Sequence, residues 1–281
     1  MPTKEIAAEK LDFEKILNTA MKLPGIKINR EKFLRKELKK YFDNDTVEKA
    51  IETNPAQAGI RIENLEKIAK ACINYETTKV TALSAGAGIP GGLAMAATVP
   101  ADFAQFFGHI IRVLQKLIYL YGWQEMFHSD DDGFDDETSN LLTLFIGVMY
   151  GVTAASAAVA KLANAVAIRA EKKLVQMALT KGTIYPIVKK VAQVIGVRMT
   201  KEIFAKGVGK AIPIVGTVLS GGITVIGFRP MAQRLQKYLI ELPMADVDFY
   251  KESHVYDDDI IDIDFSDISL EDEDDLDEAA E

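Results

Sequence analysis

The residues with the clearest potential for chemistry form a polar stripe on one predicted helix, residues 102–120. A carboxylate, an amide, an imidazole and two cations follow one another three or four residues apart, which places them on one helix face; they are Asp102, Gln105, His109, Arg112 and Lys116. Facing a cavity, such a line could carry out general acid–base chemistry. More often it forms the solvated face of an amphipathic helix, and we adopt that interpretation. It predicts that His109→Gln changes stability by less than about 1 kcal/mol.

Other patterns for chemistry are incomplete. The acidic loop His128–Asn140 shares part of the EF-hand order, but Ser139 stands where a calcium loop needs a bidentate Glu. The chain contains no phosphate loop, no nucleophile elbow and no HExxH motif. His128 and His254 lack partners at ligand spacing, and the single Cys72 excludes a cysteine-based metal cluster. We therefore expect a non-enzymatic protein with no cofactor, no metal site and no nucleic-acid partner.

Three long uncharged segments are the main structural elements that the sequence predicts around the polar stripe. They are 22, 23 and 18 residues long and cover Val80–Ala101, Thr138–Ala160 and Ala211–Phe228. Runs of this length belong either to the buried centre of a helical bundle or to a bilayer. The Leu, Ile, Phe and Val residues of the second segment contribute about −2.4 to −4.8 kcal/mol to membrane insertion. This makes it a credible spanning helix, whereas Gly and Pro weaken the first segment and flanking cations weaken the third.

Small residues recur at every fourth position within these segments. That spacing places them on one helix face and lets two backbones approach closely, in a membrane or in a soluble core. The positions assigned to helix packing are Ser84, Gly88, Gly92, Gly147, Gly151, Gly216 and Ser220. The pattern predicts close helix packing, but it does not distinguish a bilayer from a soluble core.

The fold class follows from periodicity and charge. No period-2 run of β-branched residues occurs, so we expect an all-α, multi-helix bundle with three Gly/Ala-rich apolar segments. Residues 246–281 hold 17 acids and one Lys, a net of −16, which leaves +8 on residues 1–245 because the whole chain carries −8. We therefore expect a helical domain over 1–245 and a disordered acidic tail over 246–281.

Five strings within Ile28–Leu239 are longer and more specific than generic helix. They are INREKFLRKELKKY, the stretch from INYETTKV to LIYLYGW, DDETSNLLTLFIGVMYGV, the stretch from YPIVKK to TVLSGG, and FRPMAQRL. Together they resemble the EcsC family of bacterial proteins. The resemblance implies no assigned reaction, and the family takes its name from a gene beside an ABC transporter involved in secretion. The acidic tail lies outside the family pattern.

Charge and resemblance together suggest a role at a membrane. The N-terminus has no apolar h-region, which favours the cytoplasm or the cytoplasmic side of a membrane. Basic amphipathic helices (Asn29–Phe42, Lys161–Lys173 and Arg229–Leu239) are expected to contact anionic lipid or a membrane-protein partner, while Gly-rich apolar hairpins enter the bilayer or the partner. The candidate lipid-facing residues are Lys161, Lys172, Lys173, Arg229, Arg234 and Lys237. The expected role is accessory to an ABC transporter or secretion machinery.

Two alternatives to this role stay open at the level of sequence. The chain could be a soluble helical domain that binds an apolar ligand in its Gly-lined core, or a weak hydrolase that uses the polar stripe. The tail also has two interpretations. It competes with anionic lipid for the basic helices, or it only confers solubility.

Overall fold

The computed structural model describes residues 13–86, 101–125, 136–168, 172–180, 182–196, 216–252 and 263–270. These residues form helices joined by turns and irregular connections, and no strand occurs among them, so the predicted all-α bundle is confirmed. The helices are α1 (Phe13–Met21), α2 (Arg30–Leu38), α3 (Asn44–Glu52), α4 (Ile62–Gly86), α5 (Ala101–Leu120), α6 (Asp136–Tyr150), α7 (Thr153–Ala167), α8 (Lys172–Thr180), α9 (185–196) and α10 (Gly216–Ile240), followed by a 3₁₀ turn at Pro243–Ala245.

Helix α5 lies at the centre of the bundle. It packs against α1, α2, α4, α6 and α10, and every residue from Val113 to Tyr121 is buried. Apart from Gln115 and Lys116, which are also buried, the residues of this part of the helix are apolar. A helix that buries residues on every side must be enclosed by other helices. The long helices α4 and α10 cover α5 and pack against each other. The prediction of an amphipathic helix with one solvated face therefore fails for the second half of α5.

The segment Thr138–Ala160 is two helices and not one. Helix α6 ends at Tyr150, Gly151 has φ +77°, and α7 begins at Thr153. The N–H of Val152 donates to the carbonyl of Gly147 at 2.9 Å, which is the closing bond of a Schellman motif, and glycine takes the left-handed conformation there without a Cβ clash. The prediction of one spanning helix here is wrong. Among the described residues, no helix is both long enough and apolar enough to cross a membrane.

Gly147 lies where α6 meets its neighbours most closely. A Cβ built on it would stand 2.7 Å from the Cβ of Ala155 on α7 and 2.7 Å from Cγ1 of Val191 on α9. The spacing of small residues therefore predicted a close approach of two helices at Gly147. The two helices are α6 and α7, which both lie within the single segment Thr138–Ala160. Gly151 needs correction, because it forms the turn of this hairpin and not a helix face.

The other predicted packing residues are only partly covered. Gly88 and Gly92 fall outside the described residues. Ser84 belongs to α4, and Gly216 and Ser220 belong to α10, but their surroundings fall outside the described part of the chain.

We expect Gly147→Ala to lower the free energy of unfolding by about 1–3 kcal/mol, because the new methyl group overpacks a contact that involves two neighbouring helices. Gly227 of α10 is the matched control, since it is also helical and nothing lies within 4 Å of its added Cβ. Gly227→Ala should be neutral or stabilising by up to about 1 kcal/mol. Urea unfolding followed by circular dichroism measures both, and equal effects at the two sites would contradict close packing at Gly147.

Two parts of the acidic tail lie against the bundle. In residues 246–252, the hydroxyl of Tyr250 accepts a hydrogen bond from Nδ2 of Asn54 at 3.0 Å. In residues 263–270, Ile263 and Phe265 join the core with exposures of 6% and 1%. The expected boundary at residue 245 and the expected disordered tail over 246–281 are corrected in these two ranges, because apolar residues among the acids reach the core.

Candidate functional site

A buried carboxylate on α4 is the focus of the charged residues in the bundle. Glu76 has 0% exposed surface. It lies three residues after Ile73 and four before Val80, so helical spacing puts it on the buried face of α4, which packs against α5. A charge in such a position persists only when other groups pair with it.

Three side chains of α5 reach the carboxylate of Glu76. Nδ1 of His109 lies 2.8 Å from Oε2, Nε of Arg112 lies 3.3 Å from Oε1, and Nζ of Lys116 lies 2.5 Å from Oε1. Their spacing of three and four residues brings all three to one side of α5. An ionised carboxylate only accepts hydrogen bonds. His109 therefore carries a hydrogen on Nδ1, and this N–H donates a hydrogen bond to the carboxylate of Glu76.

These contacts keep Glu76 ionised. Burial raises the pKa of this carboxyl, but hydrogen bonds from His109 and Lys116 and the charges of Lys116 and Arg112 outweigh burial and lower the pKa to about 2. A general base works best with a pKa near the ambient pH, so this carboxylate is a poor proton acceptor at neutral pH. The neighbouring hydroxyl of Thr77 donates to the carbonyl of Ile73 at 2.7 Å. The arrangement suits a structural clamp better than acid–base catalysis.

The outer side of this network is covered by other parts of the bundle. Nη1 of Arg112 donates to the carbonyl of Gly25 in the turn after α1. The ring of Tyr75 lies 4.8 Å from Nζ of Lys116, within the range of a cation–π contact. The network thus ties the α1 turn, α4 and α5 together around one carboxylate.

The structure corrects the interpretation of the polar stripe. The side chains of His109, Arg112 and Lys116 are only 14%, 24% and 10% exposed and turn toward Glu76. Gln105 is exposed, as a solvated face requires. Asp102 lies in the first turn of α5, and its side-chain surroundings fall outside the described residues.

A second buried cation, which the sequence analysis missed, fastens the N-terminal helices. Arg30 is 5% exposed, and its guanidinium donates to four carbonyls: Trp123 at 3.0 Å, Ile51 at 2.7 Å, Ala50 at 3.3 Å and Thr53 at 3.0 Å. Three of these carbonyls belong to the C-terminal end of α3, where helix carbonyls lack intrahelical partners. The planar, five-donor guanidinium meets this need better than any other side chain.

Buried polar groups of α5 also hold the connection between α1 and α2. Nε2 of Gln115 donates to the carbonyl of Ile26 at 2.8 Å, and the N–H of Ile28 donates back to Oε1 of Gln115 at 2.9 Å. The N–H of Arg30 donates to Glu125 at 2.7 Å. These bonds fix the direction in which α2 leaves the bundle, and hence which of its faces meets solvent.

The candidate lipid-facing residues occupy different environments. Nζ of Lys161 on α7 binds the carbonyl of Asp264 at 2.9 Å and the carboxylate of Asp267 at 2.5 Å, so this lysine is engaged by the tail. In this arrangement Lys161 is paired with the tail, and its contact with lipid stays a prediction.

The other candidates divide between α8 and α10. Arg229, Arg234 and Lys237 are exposed on α10, and Nη1 of Arg234 donates to the carbonyl of Met149 at 2.7 Å. Lys172 and Lys173 open α8, and their side-chain surroundings fall outside the described residues.

A shallow depression of about 270 Å³ lies between α4 and α10. Its lining is polar apart from one isoleucine and comprises Glu66, Lys70, Ile73, Asn74, Arg229, Gln233 and Gln236. An apolar ligand would leave these polar groups without hydrogen-bond partners. Within the described ranges, no three His, Cys, Asp or Glu residues are grouped so that they could hold a metal ion.

Comparison of the chain with protein-family models, with curated proteins and with solved structures finds no match. The resemblance to the EcsC family therefore stays a prediction from the quoted strings. The basis for a proposed function is the arrangement of the residues themselves.

Proposed function

We propose that the protein is a non-enzymatic helical module that binds anionic lipid surfaces through the outer face of α2. The observation that carries this proposal is a row of three exposed lysines, Lys32, Lys36 and Lys39. Their spacing of four and three residues places them on one helix face. The salt bridges in this region involve Arg35 and Lys40 instead, so none of the three is paired with a described carboxylate.

The charge around this row is concentrated. Residues 13–42 contain nine Lys or Arg and three Glu, a net of +6 in 30 residues. Tyr41, at the end of the row, is 58% exposed. Aromatic side chains of this kind are enriched at the level of lipid headgroups, so a tyrosine beside the lysines fits contact with a membrane surface.

The opposite face of α2 determines the mode of contact. Phe33, Leu34 and Leu38 are buried in the bundle, so α2 cannot turn an apolar face toward a bilayer. Binding would then be peripheral and electrostatic, with about 1 kcal/mol for each lysine near an anionic surface. Three lysines supply about 3 kcal/mol, or roughly a hundredfold in affinity.

The proposal predicts that Lys32→Gln/Lys36→Gln/Lys39→Gln weakens binding to anionic vesicles by roughly a hundredfold, because the variant loses three headgroup contacts. Co-sedimentation with vesicles of phosphatidylcholine alone and of phosphatidylcholine with phosphatidylserine measures this. Wild-type binding should need phosphatidylserine. It should also decline with salt, because exposed charges are screened over about 8 Å at physiological ionic strength.

The control variant removes the same charge elsewhere. Lys67 and Lys70 are exposed on α4 and Lys189 is exposed on α9, and their joint replacement by Gln changes net charge by the same amount. Only the α2 variant should lose most of its binding. Equal losses of vesicle binding in both variants would mean that only the net charge of the protein matters, and would contradict a specific role for α2. Unchanged binding by the α2 variant would also refute the proposal.

The alternative functions find less support. The hydrolase alternative needs an open acid–base stripe, yet His109 and Arg112 engage a buried carboxylate of low pKa. The apolar-ligand alternative places the ligand in the Gly-lined core, of which Gly88 and Gly92 lie outside the described residues. The depression between α4 and α10 is polar and does not suit such a ligand. An accessory role beside a transporter or secretion machine, at the cytoplasmic side of a membrane, is compatible with peripheral binding and forms part of the same proposal.

A further inference from the structure

Residues 263–268 contact the bundle in the manner of a bound peptide. Residues 263–265 have no regular secondary structure, and residues 266–268 form a turn. Phe265 is 1% exposed and Ile263 is 6% exposed, both within the common hydrophobic core. Ile268 packs against that core more peripherally. Apolar anchors thus stand at intervals of two and three residues along a short irregular segment.

The segment organises its own backbone. The N–H of Ser266 donates to the carboxylate of Asp264 at 3.2 Å, its hydroxyl donates to the same carboxylate at 2.5 Å, and the N–H of Ile268 donates to the carbonyl of Phe265 at 3.1 Å. Asp and Ser side chains commonly stabilise turns in this way without help from the rest of the protein. The turn of residues 264–268 is therefore stabilised by hydrogen bonds within the segment itself.

Charged groups also hold the segment against the bundle. Lys161 holds the segment at two points, the carbonyl of Asp264 and the carboxylate of Asp267. This pair faces solvent, since the side chains of Lys161 and Asp267 are 33% and 69% exposed. Residues 246–281 carry −16 and residues 1–245 carry +8, so long-range attraction also favours docking.

We propose that the surface beside Lys161 is a peptide-binding site, and that residues 263–268 are its exchangeable intramolecular ligand. A buried aromatic anchor, flanking aliphatic residues and a solvent-facing ion pair form the usual recognition pattern of a short linear peptide in a groove. Departure of the segment would uncover the apolar site of Phe265 and free Lys161. The ligand class is an acidic peptide with an Ile-x-Phe core, and this inference does not depend on lipid binding.

The experiment measures binding of a fluorescent peptide that copies residues 260–270 to the full-length chain, by anisotropy. In the wild-type chain the segment competes for the site, which lowers the apparent affinity by the fraction of open molecules. Phe265→Ala in the chain removes the anchor of the internal competitor, so we expect binding of the peptide to tighten by at least about tenfold. Asp267→Lys, which reverses the ion pair at an exposed position, should tighten it in the same direction.

Two controls make the experiment specific. Leu270 is an exposed apolar residue at the end of the described segment, and Leu270→Ala should leave peptide affinity unchanged. A peptide with Ala at the position of Phe265 should not bind any of the chains. Absence of tighter binding in both Phe265→Ala and Asp267→Lys would overturn the proposal, as would equal binding of the two peptides. Unfolding of the Phe265→Ala chain would also overturn it, since the segment would then be an integral part of the core.

Discussion

Glu76→Gln is expected to lower the free energy of unfolding by about 3 kcal/mol, the largest effect of any conservative change on α4. The amide matches the carboxylate in shape but carries no charge. Lys116, whose side chain is 10% exposed, and Arg112 would then be left without the anion that compensates their burial. Removing one partner of a buried ion pair commonly costs more than the pair itself contributes, because an uncompensated charge stays behind.

Urea unfolding at pH 7 measures this difference. Glu66→Gln is the matched control, because Glu66 is an exposed glutamate of the same helix and its replacement should change stability by less than about 0.5 kcal/mol. A Glu76→Gln variant as stable as the Glu66→Gln variant would mean that the network contributes nothing.

The same substitution has a defined pH dependence. In the folded state the pKa of Glu76 is lowered from 4.5 to about 2 by the hydrogen bonds and charges that outweigh its burial. A group with a depressed folded pKa stabilises the protein fully above its unfolded pKa, and the contribution is lost as the pH falls through the folded pKa. The difference in stability between wild type and Glu76→Gln should therefore be constant above about pH 5 and shrink between pH 4.5 and pH 2. A difference that grew on acidification would contradict this assignment.

Arg30→Met is expected to destabilise the protein by about 3–5 kcal/mol. Methionine fills part of the volume but donates nothing to the four carbonyls that the guanidinium serves, which include those of Ile51 and Trp123. Buried carbonyls without donors cost about 1–3 kcal/mol each when water cannot reach them. Arg30→Lys should recover little, because an ammonium cannot reproduce the planar fork.

Thermal or urea unfolding of the Arg30 variants can be compared with Arg35→Met. Arg35 sits on the same helix and pairs with Glu31 and Glu48, but its side chain is 33% exposed. Surface pairs of this kind contribute little to stability because solvent screens them. Similar losses at the two arginines would show that the carbonyl contacts of Arg30 are unimportant for stability.

Local periodicity predicted several of the helices and part of the core. The predicted helix over residues 102–120 is α5, which spans Ala101–Leu120. On α4, the apolar residues that share one face between Leu65 and Ile73 are buried. Such features depend on contacts within a few residues, which the order of apolar and polar residues reveals directly.

The Glu76 network could not be predicted in the same way, because its members lie 33 to 40 residues apart on two helices. A polar stripe viewed on its own helix is equally consistent with solvent and with a buried partner. The available signal was Glu76, which continues the apolar face of α4 by helical spacing. A lone acid on an apolar face, together with a cationic stripe on a neighbouring helix, is the pattern that indicates such a pair.

The break at Gly151 shows a conflict between two interpretations of one residue. Small residues at every fourth position favoured helix packing, whereas a glycine after an apolar helix also favours a left-handed end. The turn lets α6 pack against α7, with Gly147 close to Ala155, and this packing buries apolar residues of both helices. Absence of charge alone therefore overestimated the length of the helix.

The long-range bonds of Arg30 have a consequence for protein synthesis. Helices α1 to α3 are complete when Glu52 has been made, but the hydrogen-bond partners of Arg30 on the C-terminal side of α5 extend to Glu125, 73 residues later. At about 5–20 residues per second a ribosome needs roughly 4–15 s to add them. During that interval Phe13, Leu17 and Phe33 have no α5 to cover them. The apolar faces of the nascent α1 and α2 therefore lack their contacts with α5 until α5 has emerged from the ribosome.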